Sequence, residues 1–240
     1  MTGEVWIASD LHLDPSRPDR TRAFVRFVAL ARARAIGLYL LGDLFNYWIG
    51  PAHARLPDHR EALDALASAV RAGFPVAFLP GNRDFLAGMG RPPAGMRLLP
   101  DRASVRLFGR SVLLMHGDLL CTDDRRYQRW RRVARSPLLR GLARALPARA
   151  ARALAERMRA KSQMEIARKL PASMDLTARG IQSAFSCGAD VVVCGHVHRQ
   201  EARDVPLGGG RTGRLYVLPS WEGDAPYLRV TEGGFEYART

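Results

Sequence analysis

Seven side chains able to bind a metal or move a proton, Asp10, His12, Asp43, Asn82, His116, His196 and His198, stand in five short clusters, each directly after an apolar run. The clusters read Ser9-Asp10-Leu11-His12, Gly42-Asp43, Gly81-Asn82-Arg83-Asp84, His116-Gly117-Asp118 and Gly195-His196-Val197-His198. Each alone has an ordinary structural explanation. Asp-x-His after a strand is a common turn or helix cap, Gly-Asp and Gly-Asn-Arg-Asp are turn formers, and a lone histidine in an apolar run is usually a core residue. Gly-His-x-His says more, because two imidazoles two residues apart in extended chain face the same way. Chance would have to place all five clusters independently, so they are read together as one site.

Carboxylates, an amide oxygen and imidazoles without a thiolate make a mixed hard and borderline donor set. It favours Mn²⁺, with Mg²⁺, Fe and Zn²⁺ as alternatives. A pair of cations about 3.5–4 Å apart lowers the pKa of a shared water and clamps the attacking and leaving oxygens of an in-line phosphoryl displacement. Asp43 is the candidate carboxylate between them, and Asp43, Asn82, Arg83 and His116 are the candidate catalytic residues.

Five elements must present these clusters. Val5–Ala8, Leu38–Leu41, Val76–Leu79, Val112–Met115 and Val191–Cys194 are continuous apolar runs, the pattern of strands buried on both faces. Helical stripes lie between the first three, through Phe24, Phe27, Val28 and Ala31, and through Leu63, Leu66 and Val70. This β-α-β-α-β beginning predicts an α/β layered domain, with the clusters beyond the carboxyl ends of the strands at one edge of an open sheet. After Met115 the rhythm stops, and residues 125–171 read as a basic helical insertion between core segments 1–124 and 172–240. The rhythm resumes at Val191. Leu215–Leu218, Tyr227–Val230 and Phe235–Tyr237 read as antiparallel strands, and Gly208–Gly210 as a hairpin loop. His53 and His59, in a Pro-rich stretch, are expected to be solvated.

At 240 residues, the chain can build one core with an insertion. Its net charge of +14 calls for an anionic partner, and residues 125–169 hold thirteen Arg and two Lys against two Glu, all but one unit of it. Trp130, Val133, Leu138, Leu139, Leu142 and Leu146 recur among those arginines at helical spacing, the composition of an interfacial helix or of a surface helix packed on its own core. No stretch has the length of a membrane span or the form of a secretory leader. Cys121, Cys187 and Cys194 have no metal-type spacing and suit a reducing cytosol.

In this order, Asp-x-His, Gly-Asp, Gly-Asn, His and Gly-His-x-His resemble the signature of the calcineurin-like metallophosphoesterases. The resemblance implies an α/β/β/α sandwich of two mixed sheets with a helical lid. One metal would be held by Asp10, His12, Asp43 and His198, and the other by Asp43, Asn82, His116 and His196. Longer strings narrow the likeness: Leu41-Gly-Asp-Leu-Phe45 with Trp48-Ile-Gly50, Gly81-Asn-Arg-Asp-Phe-Leu86, His116-Gly-Asp-Leu-Leu-Cys-Thr-Asp-Asp124 and Met158-Arg-Ala-Lys-Ser162. From about Val5 to about Gln200 the chain is similar to the UDP-2,3-diacylglucosamine hydrolases of lipid A biosynthesis.

That likeness implies a two-Mn²⁺ pyrophosphatase on the cytoplasmic face of the inner membrane, peripheral to an anionic surface. It would release UMP and 2,3-diacylglucosamine 1-phosphate by attack at the α-phosphorus. Asn82, Arg83, Asp124, Ser162, Ile166, Lys169 and His196 would contact substrate, with Asp84 supporting them. Arg83 stands where many relatives place a histidine. A guanidinium stays charged and cannot act as a general acid, which suits a sugar 1-phosphate leaving group that needs little protonation. Pro51-Ala52 and Ile166 depart from the acidic pair and the polar residue common among relatives. The competing reading is a metal-dependent phosphodiesterase or nuclease acting on nucleotides or DNA, but only Tyr127 and Trp130 stand among the arginines to stack on bases. A fold kept only as a binding scaffold would show gaps among the ligands, and none is missing.

Overall fold

The unbroken apolar runs become strands whose alternate side chains enter different cores. In the computed structural model, which describes residues 3–89, 92–154, 156–158, 175–222 and 224–240, β1 (Val5–Ala8) sends Val5 and Ile7 to one face and Trp6 and Ala8 to the other. β2 (Gly37–Leu40) and β3 (Val76–Phe78) divide likewise: Leu38, Leu40, Val76 and Phe78 join Trp6, while Ala77 joins Ile7. A strand covered on both sides needs no polar face, so no polar alternation shows in the sequence.

The remaining strands are β4 (Arg97–Leu98), β5 (Arg102–Leu107), β6 (Arg110–Met115), β7 (Val191–Cys194), β8 (Glu201–Pro206), β9 (Thr212–Val217), β10 (Pro226–Thr231) and β11 (Gly234–Arg239). They form two mixed sheets, a six-stranded one in the order β11-β10-β1-β2-β3-β4 and a five-stranded one in the order β5-β6-β7-β9-β8. Val5, Ile7, Ala77 and Leu79 of the first meet Val112, Leu114, Val191 and Val193 of the second in the core between the sheets. α1 (Pro18–Arg34) and α2 (Arg60–Arg71) cover the outer face of the first sheet, burying Phe24, Phe27, Val28, Ala31, Leu63 and Leu66. Trp6 packs there against Phe27 and Tyr227, with ring centroids 5.3 and 4.1 Å away. Complete burial of one such side chain stabilises by roughly 1.5–3 kcal/mol.

α3 (Arg125–Ala134) and α4 (Pro137–Ala145) open the basic segment, and further helical turns follow over 148–154 and 156–158. Asp124 caps α3 by accepting from Tyr127 N at 3.0 Å. α5 (Ala178–Phe185) covers the outer face of the second sheet with Ile181, Ala184 and Phe185. The layers therefore run α/β/β/α. Gly208–Gly210, all at positive φ, turn the β8-β9 hairpin as expected. Among the described residues, no helix is long and apolar enough to cross a membrane.

Two expectations are corrected. The five strands that lead into the candidate ligand clusters do not share one open sheet: β1, β2 and β3 are parallel in the first, and β6 and β7 are parallel in the second. Apolar runs show that both faces are covered, but not that the cover on one side is another sheet. β9 correspondingly pairs parallel to β7 as well as antiparallel to β8. His53 and His59 are buried rather than solvated, because short 3₁₀ turns over Pro51–Arg55 and Pro57–His59 fold them onto Phe45, Tyr47 and Trp48.

Candidate metal centre

The carboxyl ends of the two sheets meet, and hydrogen bonds stitch one to the other there. Asp10 N donates to Gly42 O (3.1 Å) and His12 N to Asp43 O (2.9 Å), holding the β1 and β2 loops together. His196 N donates to Asp10 Oδ2 (2.8 Å), and His116 Nδ1 lies 2.9 Å from Leu41 O; both contacts cross between the sheets. Gly81 and Gly195 permit the approach. A Cβ on Gly81 would collide with the Asp43 carboxylate, and one on Gly195 with Asp10 Oδ2 and Ser9 Oγ.

Two groups of donors result. In one, His12 and His198 face each other Nε2 to Nε2 at 3.0 Å, with Asp10 Oδ1 3.8 and 3.3 Å away. In the other, Asn82 Oδ1 lies 2.8 Å from His116 Nε2 and 2.9 Å from His196 Nδ1. Asp43 stands between them, 3.9 Å from His12 Nδ1 through one oxygen and 3.8 Å from His116 Nε2 through the other. All seven sequence candidates thus converge. Asp10 is common to two clusters at ligating distance: Asp10 with His12 and His198, and Asp10 with Asp43 and His116.

The donor set fits two cations. Asp10 Oδ1 and His12 Nδ1 are buried without a hydrogen-bond partner, a costly arrangement unless something positive meets them. Burial holds His12 at about 3 and His196 at about 4, so both imidazoles are neutral and offer lone pairs. Burial raises Asp43, with the Asp10 charge adding to the effect. Asp10 moves the other way: burial would raise it, but His198, His116 and His12 hold it below the usual carboxylate range. Burial likewise opposes the charged form of His116, yet Asp43, Asp10 and Asp118 push it up to about 9. A field that draws a proton so strongly draws a metal cation as well.

The backbone carries strain here. Among the described residues, seven non-glycine residues have positive φ, and Asp10, His12, Asp43, His196 and His198 are five of them, at 55°, 49°, 50°, 74° and 55°. Such conformations are uncommon for side-chain-bearing residues and persist where the surroundings enforce them. Asp84, fully buried, is one enforcer: it accepts from the backbone N–H of Asp43 (3.2 Å), Leu44 (2.8 Å), Phe45 (3.3 Å) and Gly81 (2.8 Å). Burial and the adjacent Asp43 charge push Asp84 up to about 7, against four donors that favour its ionised form.

Arg83 sits at the edge of the centre. Its N donates to Asp43 Oδ1 (2.8 Å), its Nε lies 3.5 Å from Asp43 Oδ2, and its Nη1 donates to Asn46 Oδ1 (2.6 Å). On the other side α3 leans over His196, the Tyr127 ring lying 6.3 Å from the imidazole and the Trp130 ring 5.9 Å from Phe85. Sequence reasoning passed over Asn46 and Asp101 and treated Tyr127 only as a candidate for base stacking. Asn46 lies beyond the Gly-Asp string, Tyr127 is marked only by the Asp124 cap three residues earlier, and Asp101 carries no local signal. Asp124 is half-buried at the base of α3. Ser162, Ile166 and Lys169 lie outside the described residues.

The decisive comparison is with the sequence pattern of the calcineurin-like phosphoesterases, which matches residues 3–200 and so takes in every cluster. The chain belongs to that family. Among curated relatives, this calcineurin-like phosphoesterase is 43% identical over 215 residues to the UDP-2,3-diacylglucosamine hydrolase of Aeromonas hydrophila, covering 89% of this chain and 88% of that one. It is 39% identical over 240 residues to the protein of the same name from Stenotrophomonas maltophilia, covering 95% and 94%. A solved structure of a hypothetical protein from Pyrococcus horikoshii shares the phosphoesterase fold with a TM-score of 0.50 at 11% identity, covering 99% of this chain and 87% of that one.

Proposed function

We propose that this phosphoesterase hydrolyses UDP-2,3-diacylglucosamine at the α-phosphorus, giving UMP and 2,3-diacylglucosamine 1-phosphate for lipid A biosynthesis. The observation that carries the reading is a set of seven convergent candidate ligands in a chain that aligns over nearly its whole length with relatives bearing that name. Asp10, His12, Asp43 and His198 would hold one Mn²⁺, and Asp43, Asn82, His116 and His196 the other. Bound there, the cations would supply Lewis acidity and a water of lowered pKa. The chain's own residues do the rest. Asp84 locks the loop that carries Asp43, and Arg83 sets a permanent positive charge beside Asp43, where a diphosphate would gather negative charge.

The basic segment 125–171 is proposed as a lid, with Asp124, Ser162, Ile166 and Lys169 completing the substrate contacts of Asn82, Arg83 and His196. Among its described residues several apolar side chains face outward: Leu138 is 75% exposed, Val133 60%, Leu142 58% and Trp130 41%. An apolar stripe set among arginines suits an anionic bilayer surface, which supports peripheral attachment to the cytoplasmic face of the inner membrane.

The test is to incubate purified protein with UDP-2,3-diacylglucosamine and Mn²⁺ and follow UMP. Release of UMP that is lost in Asp43→Ala is expected. Folded protein that yields no UMP, or full activity in the variant, would overturn the reading.

A further inference from the structure

A polar cleft opens beside the metal centre, at His12 and Arg83. It measures ≈ 220 Å³, and among the described residues it is lined by His12, Asp14, Ser16, Arg17, Arg20, Asn46 and Arg83, none of them from the basic segment. Two of these residues tie it to the chemistry, since His12 belongs to the candidate ligand set and Arg83 bridges Asp43 to Asn46. Asp14 braces the floor, accepting from Asn46 Nδ2 (2.5 Å), Ser16 N (2.9 Å) and Ser16 Oγ (2.6 Å). Asn46 is therefore committed on both its oxygen and its nitrogen, and the groups left to meet a ligand are guanidiniums. Arg17 is exposed and paired with Asp19 at 3.0 Å. Arg20 is half-buried, and its Nε is buried without a partner.

Three guanidiniums against the one Asp14 carboxylate leave the lining net positive and rich in N–H donors, which favours an acceptor-rich anion. The proposed substrate has two halves that must leave the α-phosphorus in different directions. Helix α3 of the basic segment overhangs the centre at His196, and among the described residues that line this cleft none is apolar and able to receive an acyl chain. Resting on the hydrolase reading above, we infer that the cleft seats the nucleoside half of the substrate, with Arg20 and Arg17 donating to uracil and ribose oxygens. Uracil suits such a wall because both its exocyclic groups are carbonyl acceptors. Cytosine would turn an amino donor toward guanidinium donors, and that mismatch forfeits a hydrogen bond that the uracil carbonyl would accept. Arg20 and Arg17 are thus specificity-determining residues for the base.

The experiment titrates UMP, CMP and 2,3-diacylglucosamine 1-phosphate separately into metal-loaded wild type, Arg20→Ala and Arg17→Ala, with heat of binding as the readout and thermal unfolding as the check on folding. Wild type should prefer UMP to CMP. Each variant should weaken UMP by about tenfold, the scale of a lost hydrogen bond to a charged group, and narrow the preference over CMP. Affinity for the lipid phosphate should stay at the wild-type value, and Arg20→Lys should recover part of the loss. Unchanged UMP affinity in both alanine variants, or a loss that falls on the lipid phosphate instead, would overturn the assignment. Wild-type protein that binds UMP through Arg20 but releases none from UDP-2,3-diacylglucosamine would sink the hydrolase reading while leaving the nucleotide cleft standing.

Discussion

Arg131 Nε donates to Asp118 Oδ2 at 2.7 Å, joining the first helix of the basic segment to a buried carboxylate two residues beyond His116. Tyr127 Oη donates to the same oxygen at 2.5 Å, Arg131 Nη2 reaches Asp101 at 2.7 Å, Arg135 also pairs with Asp101, and Arg135 Nη2 donates to Gly81 O at 3.0 Å. Burial would raise the Asp118 carboxyl, but His116, Arg131 and His196 hold it well below the usual range. Removing Arg131 leaves that charge buried without the guanidinium that pairs with it. Arg131→Ala should destabilise the protein by about 3 kcal/mol, the scale of breaking a buried pair, and expose α3 to limited proteolysis. An unfolding midpoint equal to that of wild type would show that the contact does not anchor the segment.

Asp43 spans both donor groups, so its loss should act on metal content and on turnover together. Asp43→Ala is expected to bind at most one of two cations by elemental analysis. UMP release should fall by about a thousandfold or more, as when a charge-stabilising group is removed from an active site. Two cations per chain in the variant would contradict the bridging position.

Asp84 is not one of the seven candidate ligands and still answers for four backbone N–H groups. Asp84→Ala leaves them unpaired at roughly 1–3 kcal/mol apiece, so little folded protein is expected. Asp84→Asn keeps the shape and part of the hydrogen bonding. It should fold and weaken metal binding by about 10–100-fold, as for other groups that orient ligands from behind. A metal titration of Asp84→Asn that overlays wild type would remove this role.

His53 and His59 carry a pH dependence with a definite sign. Burial lowers each from 6.5 to about 4, so between those values the unfolded chain binds protons that the folded chain does not. Their contribution to stability is complete above about pH 6.5 and is lost as pH falls toward 4, with a slope of about 1.4 kcal/mol per pH unit for each histidine. His59→Phe keeps the ring packing against Phe45 and Trp48 and removes one proton from the balance. Its unfolding free energy should fall less steeply than wild type between pH 6.5 and 4, and parallel curves would refute the assignment.

The outward leucines of α4 give the last prediction. Leu138→Glu with Leu142→Glu places charge on side chains that contribute little to the core, so thermal stability should hold within about 0.5 kcal/mol. Sedimentation with vesicles rich in anionic phospholipid should drop several-fold, and wild-type binding should weaken with salt. Co-sedimentation of the double variant equal to wild type would show that this face does not meet lipid.

The ligand clusters were readable because each is local: a carboxylate or imidazole within one or two residues of a glycine, at the end of an apolar run. The helix stripes of α1 and α2 and the Arg-rich segment were readable for the same reason, since periodicity and charge are properties of neighbours in the chain. What the sequence by itself determined is therefore the chemistry on offer and the elements that carry it. Only the folded molecule decided which strands share a sheet, because Val5 and Val191 are equally apolar and nothing in either states its partner. It also decided that His12 meets His198 across 186 residues, that five candidate ligands take left-handed backbone conformations, and that His53 and His59 turn inward. Contacts of that kind depend on the relative placement of whole sheets, which arises from the sum of many weak packing terms and leaves no mark at any single position.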